Sequence, residues 1–461
     1  MSSAVDLIIA HGDVVTMNTA REVLAGGAVA ISGDRIAAVG SSRQLLAAHP
    51  DAAVIDATNC VVTPGMINAH QHVGGGPLAR ACIPDNLVPG TSIFFWSIPL
   101  HAAETADDEE LAALINSVEN LRNGVTTVVE AGTMSYPDRV AGAMRQVGIR
   151  GTVGIWGWDV GQGPLVGPAD EVLDLQRDTL DRIGSDALVS AWVTLVGHSL
   201  ASDELLAGAA DLARSRGTGM TMHMSPTKSD PEVYLERHGR RPLVHLDELG
   251  VLGEHLLLAH AVWLDDAEAE ALMRTDTAIA YCPWAYLRLG QGVAANGRHA
   301  DLFQAGARVA LGCDSNNAGD HTDILKAAAL AAGLAKDTKI DPTWFGAHEA
   351  FEMATIRGAA ALGLADRIGS LEPGKLADVV VHDATGPEWR PRGDVALQLV
   401  WSADGRSVRD VVVGGQPVVR DARCVNVDED ELRRLADQGS ADLMARAGIE
   451  VPHRWPIVPS Y

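Results

Sequence analysis

Cysteine and basic residues are scarce in this chain, and long apolar runs are missing from it. The five cysteines, Cys60, Cys82, Cys282, Cys313 and Cys424, are an odd number without paired spacing. No disulfide framework is expected from them, and a reducing cytoplasm is the expected compartment. Only 36 Lys and Arg stand against 60 Asp and Glu, a formal charge of −24. A chain so negative repels phosphate backbones and anionic lipid heads, so neither nucleic acid nor a membrane surface is an expected partner. Every apolar stretch meets Pro, Gly or a charge well before the roughly 18 residues of a spanning helix. The opening Met1-Ser2-Ser3-Ala4-Val5-Asp6 has no basic region ahead of an apolar core, so no signal peptide is expected.

What is present is an ordinary soluble composition, 47% hydrophobic and 21% charged, spread over 461 residues. That length suits one barrel of roughly 250 to 350 residues plus a second unit. The first sixty or so residues read as short strands with turns, Asp6 to Ile9, Asp13 to Met17, Ala28 to Ile31, then a Gly33-Asp34 hairpin before Arg35 to Val39. They are expected to form antiparallel sheet. The same texture returns at Ala377 to His382 and at Val408 to Val419. Between these ends, strand-like runs begin near residues 61, 124, 151, 188, 218, 255, 277 and 307. They alternate with helical stretches such as Asp107 to Leu121, Asp203 to Arg214, Asp265 to Arg274 and Asp323 to Leu334. Eight such alternations define an α/β chain whose core is a (β/α)8 TIM barrel. Residues 64–366 are assigned to the barrel, and 1–63 with 367–461 to a small flanking β-sandwich domain built from both chain ends. The tail from Asp428 onward reads as one or two helices that pack on the barrel or cover a contact with a second copy in a homo-oligomer.

Five polar residues stand at the ends of separate apolar runs: His70 and His72 after Val61 to Ala69, His223 after Gly219 to Met222, His260 after His255 to Ala259, and Asp314 after Arg308 to Cys313. In a barrel of parallel strands all carboxyl ends lie on one face, so residues distant in sequence meet there. His70 and His72, two apart in an extended run, point to the same side. Imidazoles gathered with a carboxylate suit Zn²⁺ or another divalent first-row ion (Co, Mn or Fe), with a position open for water whose pKa falls to about 7. Cys282 and Cys313, also at strand ends, read as buried thiols.

The Thr63-Pro64-Gly65-Met66-Ile67-Asn68-Ala69-His70-Gln71-His72 segment, Leu257-Leu258-Ala259-His260, Leu311-Gly312-Cys313-Asp314-Ser315 and Ile368 through Val380 resemble the signature segments of the amidohydrolase superfamily. The chain is most similar to the branch that contains cytosine deaminase, adenosylhomocysteine deaminases and triazine chlorohydrolases. That resemblance implies one metal held by His70, His72, His223 and Asp314. It also implies that His260 orients or deprotonates the water, or holds the leaving region of the substrate, and that Asp314 shuttles the proton between nucleophile and leaving group. Glu130, which ends Val125 to Val129, is either a ligand to a second metal or a hydrogen-bonded barrel-end carboxylate.

Two departures bear on the substrate. The deaminases of this superfamily carry a glutamate three residues after the fifth-strand histidine, and here His223-Met224-Ser225-Pro226 has proline in its place. Cys282-Pro283-Trp284-Ala285-Tyr286-Leu287-Arg288 also differs where the family often has Ser-Asn after Cys-Pro. Both favour a small, largely apolar amide, urea or (thio)carbamate, as for the phenylurea and molinate hydrolases of the superfamily, over a nucleobase- or triazine-like ring acted on by an aminohydrolase or chlorohydrolase. The rival to any enzyme is a non-catalytic binding protein that keeps the ligands. Trp96 in the Ile93-Phe94-Phe95-Trp96 loop, Trp158, Trp284 and Tyr286 are expected to wall the pocket, with His198 lining it and Arg288 and Asn316 as polar contacts.

Overall fold

The computed structural model describes residues 5–87, 91, 93–163, 165–456 and 458; the side chains of Ile93 and Phe94 lie outside what it describes. Its centre is a parallel barrel. The strands are Met66–Gln71, Val125–Glu130, Arg150–Val153, a fourth split at Trp192 into Val189–Ala191 and Val193–Gly197, then Met220–Met224, Leu256–His260, Ala278–Tyr281 and Val309–Leu311. Paired neighbours all run parallel. The Trp192 break divides the ladder into a four-stranded and a five-stranded sheet. On the far side, the amides of Cys313 and Asp314 donate to the His70 carbonyl at 3.2 and 2.9 Å, which joins the eighth strand end to the first.

The intervening helices begin where acidic and hydroxyl residues stand in the sequence, because those side chains satisfy the free amides of a first turn. Thr105 and Asp108 form a reciprocal box at the start of Ala106–Arg122, and Asp265 and Glu268 do the same for Asp266–Thr275. Asp323 caps Ile324–Lys339 by accepting from the Leu325 and Lys326 amides.

Both chain ends build one hydrogen-bonded sheet of nine strands outside the barrel. Val379–Asp383 sits at its centre, antiparallel to Cys60–Pro64 and to Val408–Val413. The sheet curls back on itself: Ala377 N donates to Asp34 O and Ile36 N to Lys375 O, each at 2.9 Å, around a core of Ile9, Val29, Ile31, Val379 and Val381. The purely antiparallel expectation fails here. Leu7–Val15 runs parallel to both Ala53–Asp56 and Cys60–Pro64, because the short helix Ser42–Ala48 carries the chain back across the sheet before the next strand starts.

The run that begins at Val61 is also two strands rather than one. Cys60–Pro64 belongs to the outer sheet and Met66–Gln71 to the barrel, with Gly65 at the crossing, where a Cβ would lie 1.9 Å from Thr126 Oγ1. Arg150 on the third barrel strand fixes the two parts together through paired 3.0 Å hydrogen bonds to buried Asp378. The tail forms one helix, Glu429–Ala447, whose Leu443 and Met444 pack on Leu78, Leu100 and Ala112. Among the described residues, no helix is long and apolar enough to cross a membrane.

Candidate metal centre

The barrel brings all five strand-end residues together. His72 Nε2 lies 3.2 Å from His223 Nε2 and 3.4 Å from Asp314 Oδ1, and His70 Nε2 lies 3.8 Å from the same oxygen. The His260 ring is 5.2 Å from that of His70 and 5.3 Å from that of His223, centre to centre. Four ligands about 2.0–2.1 Å from a tetrahedral ion stand roughly 3.3 Å apart, a spacing that the His72 contacts approach. The residues close enough to share an ion form two overlapping groups, His70 with His223 and His260, and His70 with His72 and Asp314.

Protonation chemistry supports the same fit. His223 Nδ1 donates to the Val196 carbonyl, which leaves its Nε2 a lone pair toward His72 Nε2, while His72 Nδ1 lies 2.6 Å from Thr133 Oγ1. Both ring nitrogens of His70 and Nδ1 of His260 are buried without a hydrogen-bond partner. Burial holds the imidazoles of His70, His223 and His260 below their usual range, His223 to about 3. Burial works to raise the Asp314 carboxyl, but the His72 hydrogen bond and the surrounding imidazoles outweigh it and hold that group far below normal. Neutral imidazoles at His70, His223 and His260 beside an ionised carboxylate are a donor set that a divalent cation fits.

Backbone strain marks the same strand ends. His260, Ala261, Asp314 and Ser225 adopt φ of 78°, 51°, 62° and 41°, left-handed conformations that non-glycine residues reach only when their surroundings impose them. Gln71 Nε2 donates to the Asp314 carbonyl at 2.7 Å, and Asn68 Oδ1 accepts from the Cys313 amide at 3.0 Å. His299 Nε2 lies 2.6 Å from the His260 carbonyl, with its ring stacked on Tyr281. Asn68, Gln71, Thr133 and His299 were not among the expected site residues. An unusual run of buried amides, Asn68, Gln71, Asn116 and Asn120, is the signal that could have found the first two.

The other expected residues are distributed around this centre. His198 is buried beside it, its Nδ1 3.3 Å from the His223 carbonyl and its Nε2 unpartnered. Tyr286 presents its ring edge to His260 at 5.6 Å while its hydroxyl accepts from the Cys282 amide. Trp158 stacks on Trp156, Trp284 meets His321 edge-on, and Trp96 packs beside Leu78 and Leu443. Arg288 is tied to Asp320 at 3.2 Å, and Asn316 Oδ1 accepts from Asn116 at 3.4 Å, leaving its Nδ2 unpartnered. Glu130 accepts from the Gly132 amide, and burial raises its carboxyl to about 8. It lies outside the residue groups close enough to share an ion. Cys282 and Cys313 are buried thiols pushed well above their usual range by burial, so neither is a thiolate near neutral pH.

Residues 61–418 match the amidohydrolase family, and residues 27–52 match a bacterial imidazolonepropionase-like composite domain. The chain belongs to the amidohydrolase family and is a metal-dependent hydrolase of carbon–nitrogen bonds other than peptide bonds. It is 32% identical over 435 residues, 94% of this chain and 97% of the relative, to a 5-methylthioadenosine/S-adenosylhomocysteine deaminase of Syntrophobacter fumaroxidans. A 5'-deoxyadenosine deaminase of Methanosarcina mazei is 30% identical, with 96% and 99% covered. Among solved structures, a zinc-bound adenosine deaminase from Xanthomonas campestris superposes with a TM-score of 0.91 at 27% identity, covering 96% of this chain and all of that one. The zinc complex of the atrazine chlorohydrolase TrzN from Arthrobacter aurescens gives 0.86 at 25% identity, with 94% and 100% covered.

Proposed function

We propose that His70, His72, His223 and Asp314 hold one divalent metal ion, zinc first among the candidates, and that the enzyme uses water to break a carbon–nitrogen bond of a small molecule. The observation that carries this reading is the convergence of His70, His72 and His223 on the ionised Asp314 carboxylate at the strand ends, with both His70 ring nitrogens buried and unpartnered. When bound, such an ion lowers the pKa of a coordinated water to about 7. His260, whose strand position is surplus to a four-ligand set, holds and orients the water, and Asp314 takes the proton that the water releases and gives it to the departing nitrogen. His198 Nε2 and Asn316 Nδ2, both buried and unpartnered, are the polar contacts offered to substrate.

The substrate reading that the relatives support is hydrolytic loss of an amino group from a nucleoside-like ring, since their printed activities are deaminations of adenosine-type molecules. This reverses the order expected from the sequence. Pro226 favours the second reading, an open-chain amide, urea or (thio)carbamate, because a ring deamination asks for a proton carrier there and proline has none. The next carboxylate along the chain, Asp230, is occupied by the Thr227 amide and hydroxyl at 2.7 and 2.8 Å.

One assay tests the mechanism and the substrate class together. Metal-replete protein is offered 5'-deoxyadenosine, 5-methylthioadenosine, N-aryl ureas, thiocarbamates and anilides, before and after chelation. Ammonia release from the nucleosides that chelation abolishes supports the first reading, and amine release from the open-chain substrates alone supports the second. Turnover that survives complete metal removal contradicts the proposal.

A further inference from the structure

A second gathering of ligand-type side chains lies outside the barrel centre. Tyr234 and His238 are four residues apart on the helix Ser229–His238 and therefore share one face, where their rings stack at 4.1 Å. The next helix, Pro242–Glu248, brings His245 against the same phenol, with its Nδ1 3.1 Å from Tyr234 OH. Its other nitrogen, Nε2, faces Asp203 Oδ2 at 3.3 Å, at the start of the helix Asp203–Arg216. The ligand atoms of Asp203, His238 and His245 all fall within 4.8 Å of one another.

We propose that Asp203, His238 and His245 form a second divalent-metal site, for a borderline ion such as Zn²⁺, Co²⁺ or Ni²⁺, with water completing the shell. Two imidazoles with one carboxylate are the ligand types such ions take. The 3.3 Å between His245 Nε2 and Asp203 Oδ2 is already the edge of a tetrahedron built on bonds of about 2.0–2.1 Å. Tyr234 supplies the outer hydrogen bond. With an ion on Nε2, the His245 proton sits on Nδ1 and is donated to the phenol oxygen, which fixes the ring for coordination.

The position suggests what the ion does. Asp203 lies on the helix that follows the fourth barrel strand, and His238 and His245 lie on the helices that follow the fifth. An ion bridging them pins the excursion after His223 against its neighbour. Tyr234 is buried, and its ring lies 5.3 Å from that of His198, so the clamp stiffens a wall of the reaction centre without supplying a reacting group.

The test is zinc binding by the holoenzyme, read by equilibrium dialysis and elemental analysis, together with the thermal midpoint. The parent should take up two equivalents at micromolar free zinc, and the second should raise the midpoint. His238→Gln and Asp203→Asn, at exposed positions, should each bind one equivalent, lose the zinc-dependent rise and keep their turnover. Tyr234→Phe keeps the stacked ring and loses the hydroxyl, and should weaken the second equivalent by about 10- to 100-fold. A parent that binds a single equivalent overturns the proposal. A second equivalent that persists unchanged in His238→Gln also overturns it, and Glu130→Gln then shows whether that ion lies at the barrel end.

Discussion

Replacing Thr133 by Val should weaken metal binding without removing a ligand. Thr133 is 4% exposed, and its Oγ1 lies 2.6 Å from His72 Nδ1. With Nε2 of His72 turned to a metal, Nδ1 carries the proton and donates to the threonine hydroxyl. Valine keeps the shape and lacks the acceptor, so that donor loses its partner in a buried setting. Leaving such a group unpaired costs about 1–3 kcal/mol, and about 1.4 kcal/mol is a factor of ten in an equilibrium constant. The loss in metal affinity is therefore about 10- to 100-fold, the usual scale when the outer partner of a metal-binding histidine is removed. Competition against a chromophoric chelator measures it directly. At saturating metal the variant should recover most of its turnover, and Thr133→Ser should bind like the parent. Unchanged affinity in Thr133→Val, or an equal loss in Thr133→Ser, would refute the hydrogen-bonded role of His72.

His260→Asn should cost at least about 10²-fold in turnover with metal content retained, the scale of a lost acid–base group; turnover within a few-fold of the parent removes His260 from the mechanism. Pro226→Glu compared with Pro226→Gln separates the two substrate classes. A ring aminohydrolase should gain ammonia release from the glutamate and not from the glutamine, whereas an open-chain hydrolase should gain from neither. Glu130 gives a pH prediction: burial raises its carboxyl from 4.5 to about 8, so between those values the folded chain holds a proton that the unfolded chain has released. Its contribution to stability is present below pH 4.5 and is lost as pH rises toward 8, by at most about 1.4 kcal/mol per pH unit. Denaturant unfolding of Glu130→Gln should show a flatter pH dependence than the parent across that window, and an equal or steeper one contradicts the buried neutral acid.

The barrel and its five central residues were legible because each is a polar side chain at or just past the carboxyl end of an apolar run, a pattern that repeats wherever a parallel strand ends at a functional face. Helix starts were legible for a similar local reason, since Asp265 and Asp323 announce their caps. Tertiary pairing was not. Whether Leu7–Val15 runs parallel or antiparallel to its neighbours depends on the path of the helix Ser42–Ala48, and nothing inside the strand encodes that. The single apolar run from Val61 to Ala69 hid two strands because both halves are buried and only Gly65 marks the crossing. The supporting shell was equally hidden. Thr133 and His299 act through one contact each, with His72 and the His260 carbonyl, and those contacts exist only after the barrel closes. Tyr286 was legible only in part: its ring stands against His260, but the bond between its hydroxyl and the Cys282 amide exists only after folding.

Zinc-edge anomalous diffraction from zinc-loaded crystals tests the proposed ligand set most directly. The predicted result is a peak with His70, His72, His223 and Asp314 at about 2.0–2.2 Å, and loss of that peak in His72→Ala. A strong peak elsewhere with none among these four residues, or one coordinated by Glu130 without His223, would contradict it.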